Sequence, residues 1–211
     1  MTEKILIADD HEIFRRGVMQ VFSELPGKVE VDEASNGQEV IEKMWRNDYS
    51  AVVLDISMPG RNGLDVLKQI KSHKPDLHVL ILSMYPEEQF AVRSLKAGAD
   101  GYLTKATSPD EMIIAVQKIL KGKKYISSSI ADRLACYVGS EDMNAPHEAL
   151  SDREYEVMCM TAAGKSVKRI AMELSLSDKT ISTYRARILN KMNMDNNAQL
   201  IQYVIQNQLL D

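Results

Sequence analysis

Hydrophobic residues in the first half of the chain form five short runs, separated by stretches with helical periodicity. The runs predict β-strands at residues 4–9, 29–34, 51–55, 78–83 and 101–104. The stretches that follow them predict helices at residues 12–25, 37–47, 63–73, 86–97 and 108–121. Alternating strands and helices are typical of a parallel sheet covered by helices on both faces. The first half is therefore predicted to be an α/β domain.

The second half has helical periodicity only. Helices are predicted at residues 127–138, from 151 to a stop signal at 164, and at 167–174, 178–192 and 196–206. Residues 139–149 lack periodicity and are the candidate linker. A three-residue turn joins two of these helices, which is the helix-turn-helix pattern. We therefore predict an α/β domain at residues 1–124, a helix plus linker at 125–149, and an all-α four-helix domain at 150–211.

Four of the predicted strands deliver polar side chains at their carboxyl ends, namely Asp9 with Asp10, Asp55, Ser83 and Lys105. In an open parallel sheet these ends lie along one edge, where such folds bind ligands. Clustered carboxylates repel one another, and a divalent cation such as Mg²⁺ removes that cost. Asp55 can then act as a nucleophile that forms an acyl phosphate. Lys105 and the Ser83 hydroxyl would contact the phosphoryl oxygens.

The helix predicted at residues 178–192 has an apolar side and a polar side. Residues 165–191 contain seven basic and two acidic residues, a local net charge of +5, although the whole chain has a net charge of −4. A helix of this kind suits the DNA major groove. The residues expected to face base edges or nearby phosphates are Lys179, Ser182, Thr183, Ala186 and Arg187. Those expected to contact mainly phosphate are Lys165, Lys168, Arg169 and Lys191.

The last predicted helix carries an apolar stripe with two possible uses. Leu200 and Val204 are predicted to pair two DNA-binding domains, since one helix-turn-helix reads only a short half-site. The alternative is that both residues complete the core of their own domain. The first use predicts a homodimer on double-stranded DNA.

No segment approaches ~20 consecutive apolar residues, so we expect no membrane span. The first residues show no secretory signal, and Cys136 and Cys159 lack the spacing of a metal site. These features predict a cytoplasmic protein.

The chain resembles a known family in both halves. Asp9-Asp10, Leu54 to Gly60 with Gly63, Ser83, and Gly101 to Lys105 are similar to the receiver domain of two-component response regulators. The segments Leu150 to Glu154 and Lys179 to Ile188 are similar to the LuxR-type helix-turn-helix. The pairing resembles the NarL/FixJ-type transcription regulators.

The resemblance implies a flavodoxin-like, five-stranded receiver that accepts a phosphoryl group on Asp55 from a sensor histidine kinase. It implies no enzymatic activity beyond the protein's own phosphorylation and dephosphorylation, and it makes RNA polymerase a further candidate partner. Ser83 and Tyr102 would be the pair that moves on phosphorylation, and Lys105 the lysine of the site. The implied Mg²⁺ ligands are Asp10, Asp55 and the Ser57 main-chain carbonyl, with Asp9 acting through water. Ala106 stands where many receivers have proline, so the shape of that loop stays open.

A Mg²⁺-dependent aspartyl phosphatase of the haloacid-dehalogenase type is the alternative from a different class. That enzyme needs a second aspartate two residues after the nucleophile as its general acid. Ser57 occupies this position, which argues against the phosphatase. A regulator that no longer uses phosphate is a third hypothesis, and the complete acidic set argues against it.

Overall fold

The computed structural model describes residues 2–139, 145–207 and 209–210. The chain divides into two compact units, residues 1–130 and 131–211. Their boundary falls inside a helix, Ser128–Gly139. The domain limits at residues 124 and 150 stay a prediction.

The first unit is a five-stranded sheet with five helices. Its strands are β1 (Glu3–Ala8), β2 (Val29–Ala34), β3 (Ala51–Leu54), β4 (His78–Ser83) and β5 (Gly101–Thr104). Its helices are α1 (Glu12–Phe22), α2 (Gly37–Arg46), α3 (Gly63–His73), α4 (Glu87–Lys96) and α5 (Pro109–Leu120). All strand pairs are parallel, in the order β2-β1-β3-β4-β5. This is the flavodoxin-like order, so the predicted fold class is confirmed.

The position of each strand in the sheet explains its hydrophobic pattern. The central strand β3 is buried along its whole length and consists of apolar residues only. A parallel strand covered on both faces is expected to read as a continuous apolar run. Strand β2 lies at the edge, and its charged residues alternate with valines. Helices α1 and α5 contribute to the core on one face through Val18, Phe22, Met112, Val116 and Ile119.

Helix α1 ends at Phe22, three residues before the predicted end. The Ser23 hydroxyl donates a hydrogen bond to the Gln20 carbonyl at 2.6 Å. Pro26 also disfavours a helical backbone in the residue before it. Leu25 lies after the end of α1 but is buried in the core. Its apolar side chain continued the helical periodicity of the sequence, which is why the predicted helix was too long.

The second unit is helical, and its elements are α6 (Ser128–Gly139, which begins in the first unit), a 3-10 helix (Pro146–Ala149), α7 (Asp152–Ala162), α8 (Val167–Glu173), α9 (Asp178–Lys191) and α10 (Asn197–Gln206). Helix α7 packs on α9 and α10, and α8 packs on α9. In the turn between α8 and α9, Ser175 adopts a left-handed conformation with φ 54°. The Ser177 hydroxyl then caps α9 by accepting the Thr180 N–H at 3.0 Å. The predicted helix-turn-helix domain is confirmed. Residues 140–144 of the predicted linker lie outside the described residues.

Candidate functional site

The carboxyl ends of the strands bring together the polar residues named from the sequence. Asp9 follows β1, Asp55 follows β3, Ser83 ends β4, and Lys105 follows β5. The Lys105 Nζ atom lies 2.6 Å from Asp9 Oδ2 and 2.7 Å from Asp55 Oδ2. The ammonium group therefore bridges two carboxylates at one end of the sheet.

Burial decides the electrostatics of this site. Asp55 is 2 % exposed, and this burial raises its pKa to about 6. The ion pair with Lys105 acts in the opposite direction, and the negative charge of Asp9 raises the pKa of Asp55 further. Burial also acts to lower the pKa of Lys105, but the two carboxylates outweigh it and raise that pKa above its usual range. The site thus holds a permanent cation beside a carboxylate that is costly to ionise.

Asp10 and His11 complete the acidic group. His11 Nδ1 lies 2.7 Å from Asp10 Oδ1 and 3.3 Å from Asp9 Oδ1, and the His11 main-chain N–H donates to Asp9 Oδ1 at 2.8 Å. One ligand atom from each of Asp9, Asp10 and His11 lies within 4.8 Å of the others. The Mg²⁺ ligands implied by the sequence resemblance do not include His11, and the only available signal for it was that it follows two aspartates.

The donor set fits Mg²⁺. Asp9 and Asp10 offer carboxylate oxygens, the hard ligands that this ion prefers, and the Asp55 carboxylate shares Lys105 with Asp9. Ser57 lies in the same loop as Asp55, and its N–H donates to Asp55 Oδ1 at 3.1 Å. Receiver domains generally bind Mg²⁺ at an acidic group of this kind.

The loop that carries Asp55 is tightly packed at Gly63. A Cβ atom at position 63 would lie 2.0 Å from the main-chain oxygen of Asp55. The Gly63 N–H donates to the Ile56 carbonyl at 2.9 Å, and Asn62 caps α3 by accepting the Leu64 N–H at 2.8 Å. Glycine at this position therefore allows α3 to begin close to Asp55.

Ser83 and Tyr102 are both fully buried and share a partner that sequence reasoning missed. The Ser83 hydroxyl accepts the Tyr85 N–H at 3.2 Å, and the Tyr102 hydroxyl donates to the Tyr85 carbonyl at 2.7 Å. The Tyr85 ring stacks on Phe90 with 4.6 Å between the centroids. The residue at position 85 thus connects the two predicted switch residues. Burial raises the pKa of Tyr102 above its usual range, so its hydroxyl keeps its proton and donates.

Arg15 is a second residue that sequence reasoning missed. Its Nη1 donates to the Asp9 main-chain carbonyl at 2.8 Å, and its Nε donates to Glu33 Oε2 at 2.7 Å. These bonds tie the loop after β1 to the end of β2. No sequence spacing signals them, because the sheet brings the two segments together.

The loop after Lys105 has an ordinary backbone. None of the peptide bonds in the described part of the chain is cis, and this includes the Lys105–Ala106 bond. The question left open by the sequence is therefore answered by a trans bond.

An apolar groove of about 590 Å³ lies beside the acidic site, and it is lined by Ile13, Phe14, Val21, Met84, Thr107 and Met112, among others. Ile13 is 89 % exposed and Met84 is 72 % exposed. The Lys105 Nζ atom lies 4.8 Å from the centroid of the Phe14 ring, a cation–π contact. The groove therefore continues from Lys105 onto the surface of α1.

In the second unit, the predicted base-facing residues Lys179, Ser182, Thr183, Ala186 and Arg187 are all exposed on α9. The Ser182 and Thr183 hydroxyls donate to carbonyls of their own helix, Asp178 and Lys179, each at 2.9 Å. The opposite side of α9 buries Ile181 and Ile188. The structure thus gives α9 one buried face and one polar face.

Three of the four predicted phosphate-facing residues form ion pairs within the protein. Lys165 and Arg169 both form ion pairs with Glu173, and Lys191 pairs with Glu154 at 2.6 Å. Lys168, the fourth of this set, is exposed on α8. Sequence counting of charges did not reveal these pairings.

The structure corrects the prediction for Leu200 and Val204. Both side chains are fully buried, so they offer no surface to a second copy of the chain. The alternative, that they complete the core, is the one that their burial supports. The large apolar side chain exposed on α10 is Ile205, at 63 %.

Comparisons with known proteins agree with both units. Residues 5–117 match the response regulator receiver domain, and residues 148–204 match the luxR family of bacterial regulatory proteins. The response regulator UvrY of Escherichia coli K12 is 32 % identical over 206 residues, which cover 97 % of this chain and 94 % of UvrY.

Two solved RcsB structures are also similar. The complex of the response regulator RcsB with DNA is 28 % identical, covers 97 % of this chain and 98 % of its own, and has a TM-score of 0.59. A structure of two RcsB dimers bound to two parallel DNAs is 27 % identical, with the same coverage and a TM-score of 0.61. No helix in the described residues is long and apolar enough to cross a bilayer. The chain belongs to the two-component response regulators of the NarL/FixJ type, with a receiver domain followed by a LuxR-type DNA-binding domain.

Proposed function

We propose that Asp55 accepts a phosphoryl group from a sensor histidine kinase and that this modification controls DNA binding by the second unit. The observation that carries the proposal is the Lys105 ammonium between the buried carboxylates of Asp9 and Asp55. A structural ion pair needs one carboxylate, whereas a second buried carboxylate suits a divalent cation, and the Lys105 ammonium can pair with the oxygens of an incoming phosphoryl group.

The roles of the residues follow from their chemistry. Asp9, Asp10 and Asp55, with the Ser57 carbonyl, would hold Mg²⁺, which neutralises charge on the transferred phosphoryl group when it is bound. An Asp55 oxygen attacks phosphorus while the bond to the donor breaks and the leaving group keeps its electron pair. Lys105 then moves from the carboxylate to the new phosphoryl oxygens.

Ser83 and Tyr102 are the proposed switch. To donate to a phosphoryl oxygen, the Ser83 hydroxyl moves toward Asp55 and pulls on the Tyr85 N–H. The Tyr85 carbonyl holds the Tyr102 hydroxyl, so both side chains respond together. Phosphorylation therefore favours the conformation in which Ser83 and Tyr102 have moved, because only that conformation makes these contacts with the phosphoryl group.

The groove beside the site supports a protein phosphodonor. Exposed Ile13 and Met84 give it an apolar rim next to Lys105. Large exposed apolar side chains around a reactive site are typical of a docking surface.

The phosphatase alternative gains no support. Ser57 cannot serve as a general acid in the place of an aspartate, and the family matches cover both halves of the chain. We propose no enzymatic activity beyond the protein's own phosphorylation and dephosphorylation.

Labelling with acetyl phosphate and Mg²⁺ tests the proposed acceptor. The wild type should gain one phosphoryl group, which adds about −1.5 to −2 of charge, and Asp55→Asn should gain none. Asp48→Asn is the matched control, because Asp48 is an exposed carboxylate paired with Lys74 before β3. Equal labelling of wild type and Asp55→Asn by mass spectrometry would refute the assignment.

We propose that α9 enters the major groove and that two copies bind adjacent half-sites as a homodimer. The exposed polar face of α9 supports the first part, and the RcsB dimers on DNA support the second. Leu200 and Val204 are not kept as dimer contacts. RNA polymerase is a further proposed partner, because a regulator of this family acts on transcription. We also propose a cytoplasmic location, which fits a DNA target.

Footprinting of Lys179→Ala and Thr183→Ala tests the proposed face. Each substitution should weaken operator binding or alter its selectivity, whereas Gln202→Ala, at an exposed position on α10, should not. Unchanged affinity and selectivity in both α9 variants would show that another face contacts DNA.

A further inference from the structure

Glu173 forms ion pairs with two basic residues that are predicted to contact the DNA backbone. Its Oε2 lies 2.5 Å from Lys165 Nζ, and its Oε1 lies 2.9 Å from Arg169 Nε. Each carboxylate oxygen thus takes one cation, as two oxygens of a DNA phosphate would. Partial burial acts to raise the pKa of Glu173, but hydrogen bonds from both cations outweigh it and hold the pKa below its usual range.

The position of the two cations makes their engagement relevant. Lys165 precedes α8 and Arg169 lies in its first turn. Helix α8 is the first helix of the helix-turn-helix, the one that crosses the DNA backbone in such complexes. Its basic residues are therefore placed to contact phosphate, the contact that supplies most of the non-specific affinity.

Lys191 is engaged in a similar way by Glu154, but Glu154 is also part of a capping box with Ser151. Replacing Glu154 would damage the start of α7. Glu173 is the last residue of α8, and its side chain bonds to Lys165 and Arg169. Its charge can therefore be removed with less consequence for the fold.

We propose that Glu173 is an affinity-limiting residue that occupies Lys165 and Arg169 in place of a DNA phosphate. The proposal rests on the DNA-binding function of the second unit. Binding to any duplex then requires both cations to exchange a carboxylate for a phosphate, with the carboxylate left close to the DNA. Glu173 thereby weakens binding that depends on phosphate alone and lowers its salt dependence.

The test is binding of the full-length protein to a short duplex of random sequence, between about 50 and 200 mM salt. Glu173→Gln should bind about 5–10-fold more tightly at the low end, and the slope of log K against log salt should steepen by about 1–2, since each recovered contact contributes about 0.9. Asp195→Asn is the matched control. It removes the same charge from an exposed side chain that bonds to Gln199 instead of a cation.

Arg169→Gln gives a second test that leaves Glu173 in place. In the wild-type background, Arg169→Gln should change the affinity for the duplex less than about twofold. In the Glu173→Gln background, it should reverse most of the gain in affinity and most of the steepening of the salt slope, because substitutions of neighbouring residues that interact are not additive.

An equal effect of Glu173→Gln and Asp195→Asn would overturn the proposal, and so would weaker binding by a folded Glu173→Gln variant. If Glu173→Gln does not fold, the Arg169→Gln single variant decides. A large loss of its affinity for the duplex overturns the proposal, and a small loss of affinity supports it. A wild type that binds no duplex even at low salt would refute the DNA-binding function itself, and the proposal with it.

Discussion

Replacing Asp55 with asparagine should make the metal-free protein more stable, although it removes an ion pair. Asp55 is almost fully buried, and its pKa is raised from 3.8 to about 6. Such a rise costs the charged form about 3 kcal/mol relative to the neutral form. This net cost already includes the favourable Lys105 contact, so we expect Asp55→Asn to raise the free energy of unfolding by about 1–3 kcal/mol near pH 7.5.

The direction of the Asp55 pKa shift determines how the stability gain of Asp55→Asn depends on pH. The folded pKa of Asp55 lies above its unfolded value, so the wild type carries the penalty in full above about pH 6 and loses it below about pH 4. The advantage of Asp55→Asn should therefore shrink as the pH falls from about 7.5 to 4.5. Saturating Mg²⁺ should also shrink it, because a bound cation stabilises the charged carboxylate of the wild type.

Urea unfolding followed by tryptophan fluorescence measures the free energy of unfolding of the first unit, which contains Asp55. Trp45 is the only tryptophan of the chain and lies in α2 of the first unit. Asp10→Asn is the matched control, because the Asp10 side chain is 32 % exposed and its ion pair is with His11. Equal stabilisation by Asp10→Asn and Asp55→Asn would indicate general relief of negative charge. A less stable Asp55→Asn variant at neutral pH without metal would refute the reasoning.

Two further predictions concern groups around the acceptor. Arg15→Gln should weaken Mg²⁺ binding by about 10-fold in calorimetry, because Arg15 anchors the Asp9 main-chain carbonyl. The exposed neighbour Arg16 gives the control Arg16→Gln. Equal Mg²⁺ affinities of the two variants would exclude an anchoring role for Arg15. Tyr102→Phe removes the buried hydrogen bond to the Tyr85 carbonyl, worth about 1 kcal/mol, and should leave labelling of Asp55 unchanged while reducing the gain in DNA affinity on phosphorylation. Full activation of DNA binding by the phosphorylated Tyr102→Phe variant would contradict the proposed switch.

Much of the fold follows from local pattern. Buried parallel strands are continuous apolar runs, so β1, β3, β4 and β5 could be placed from the sequence to within a residue or two. Helices were predicted to begin at residues 108 and 151, and the Ser108 and Ser151 side chains cap α5 and α7 at these positions. These signals are reliable because a cap binds backbone N–H groups of its own helix, and a strand covered on both faces needs apolar residues throughout.

The composition of the site was also readable, because parallel strands end at one edge. That geometry alone required Asp9, Asp55 and Lys105 to lie near one another. Their burial and the resulting pKa of Asp55 were not readable, since both depend on how completely the surrounding loops cover the site. Arg15 and Tyr85 were missed because their partners come from segments far away along the chain or from main-chain atoms.

The sequence by itself determined the two-part architecture, the acidic edge of the sheet and the polar face of α9. Only the tertiary structure decided whether an apolar stripe is core or surface, because the same residue types serve both, and full burial assigns Leu200 and Val204 to the core. It also decided that Glu173 engages Lys165 and Arg169, since local net charge does not reveal which charges pair. Pattern along a chain specifies elements and faces, whereas burial and pairing depend on the contacts that form when the elements pack.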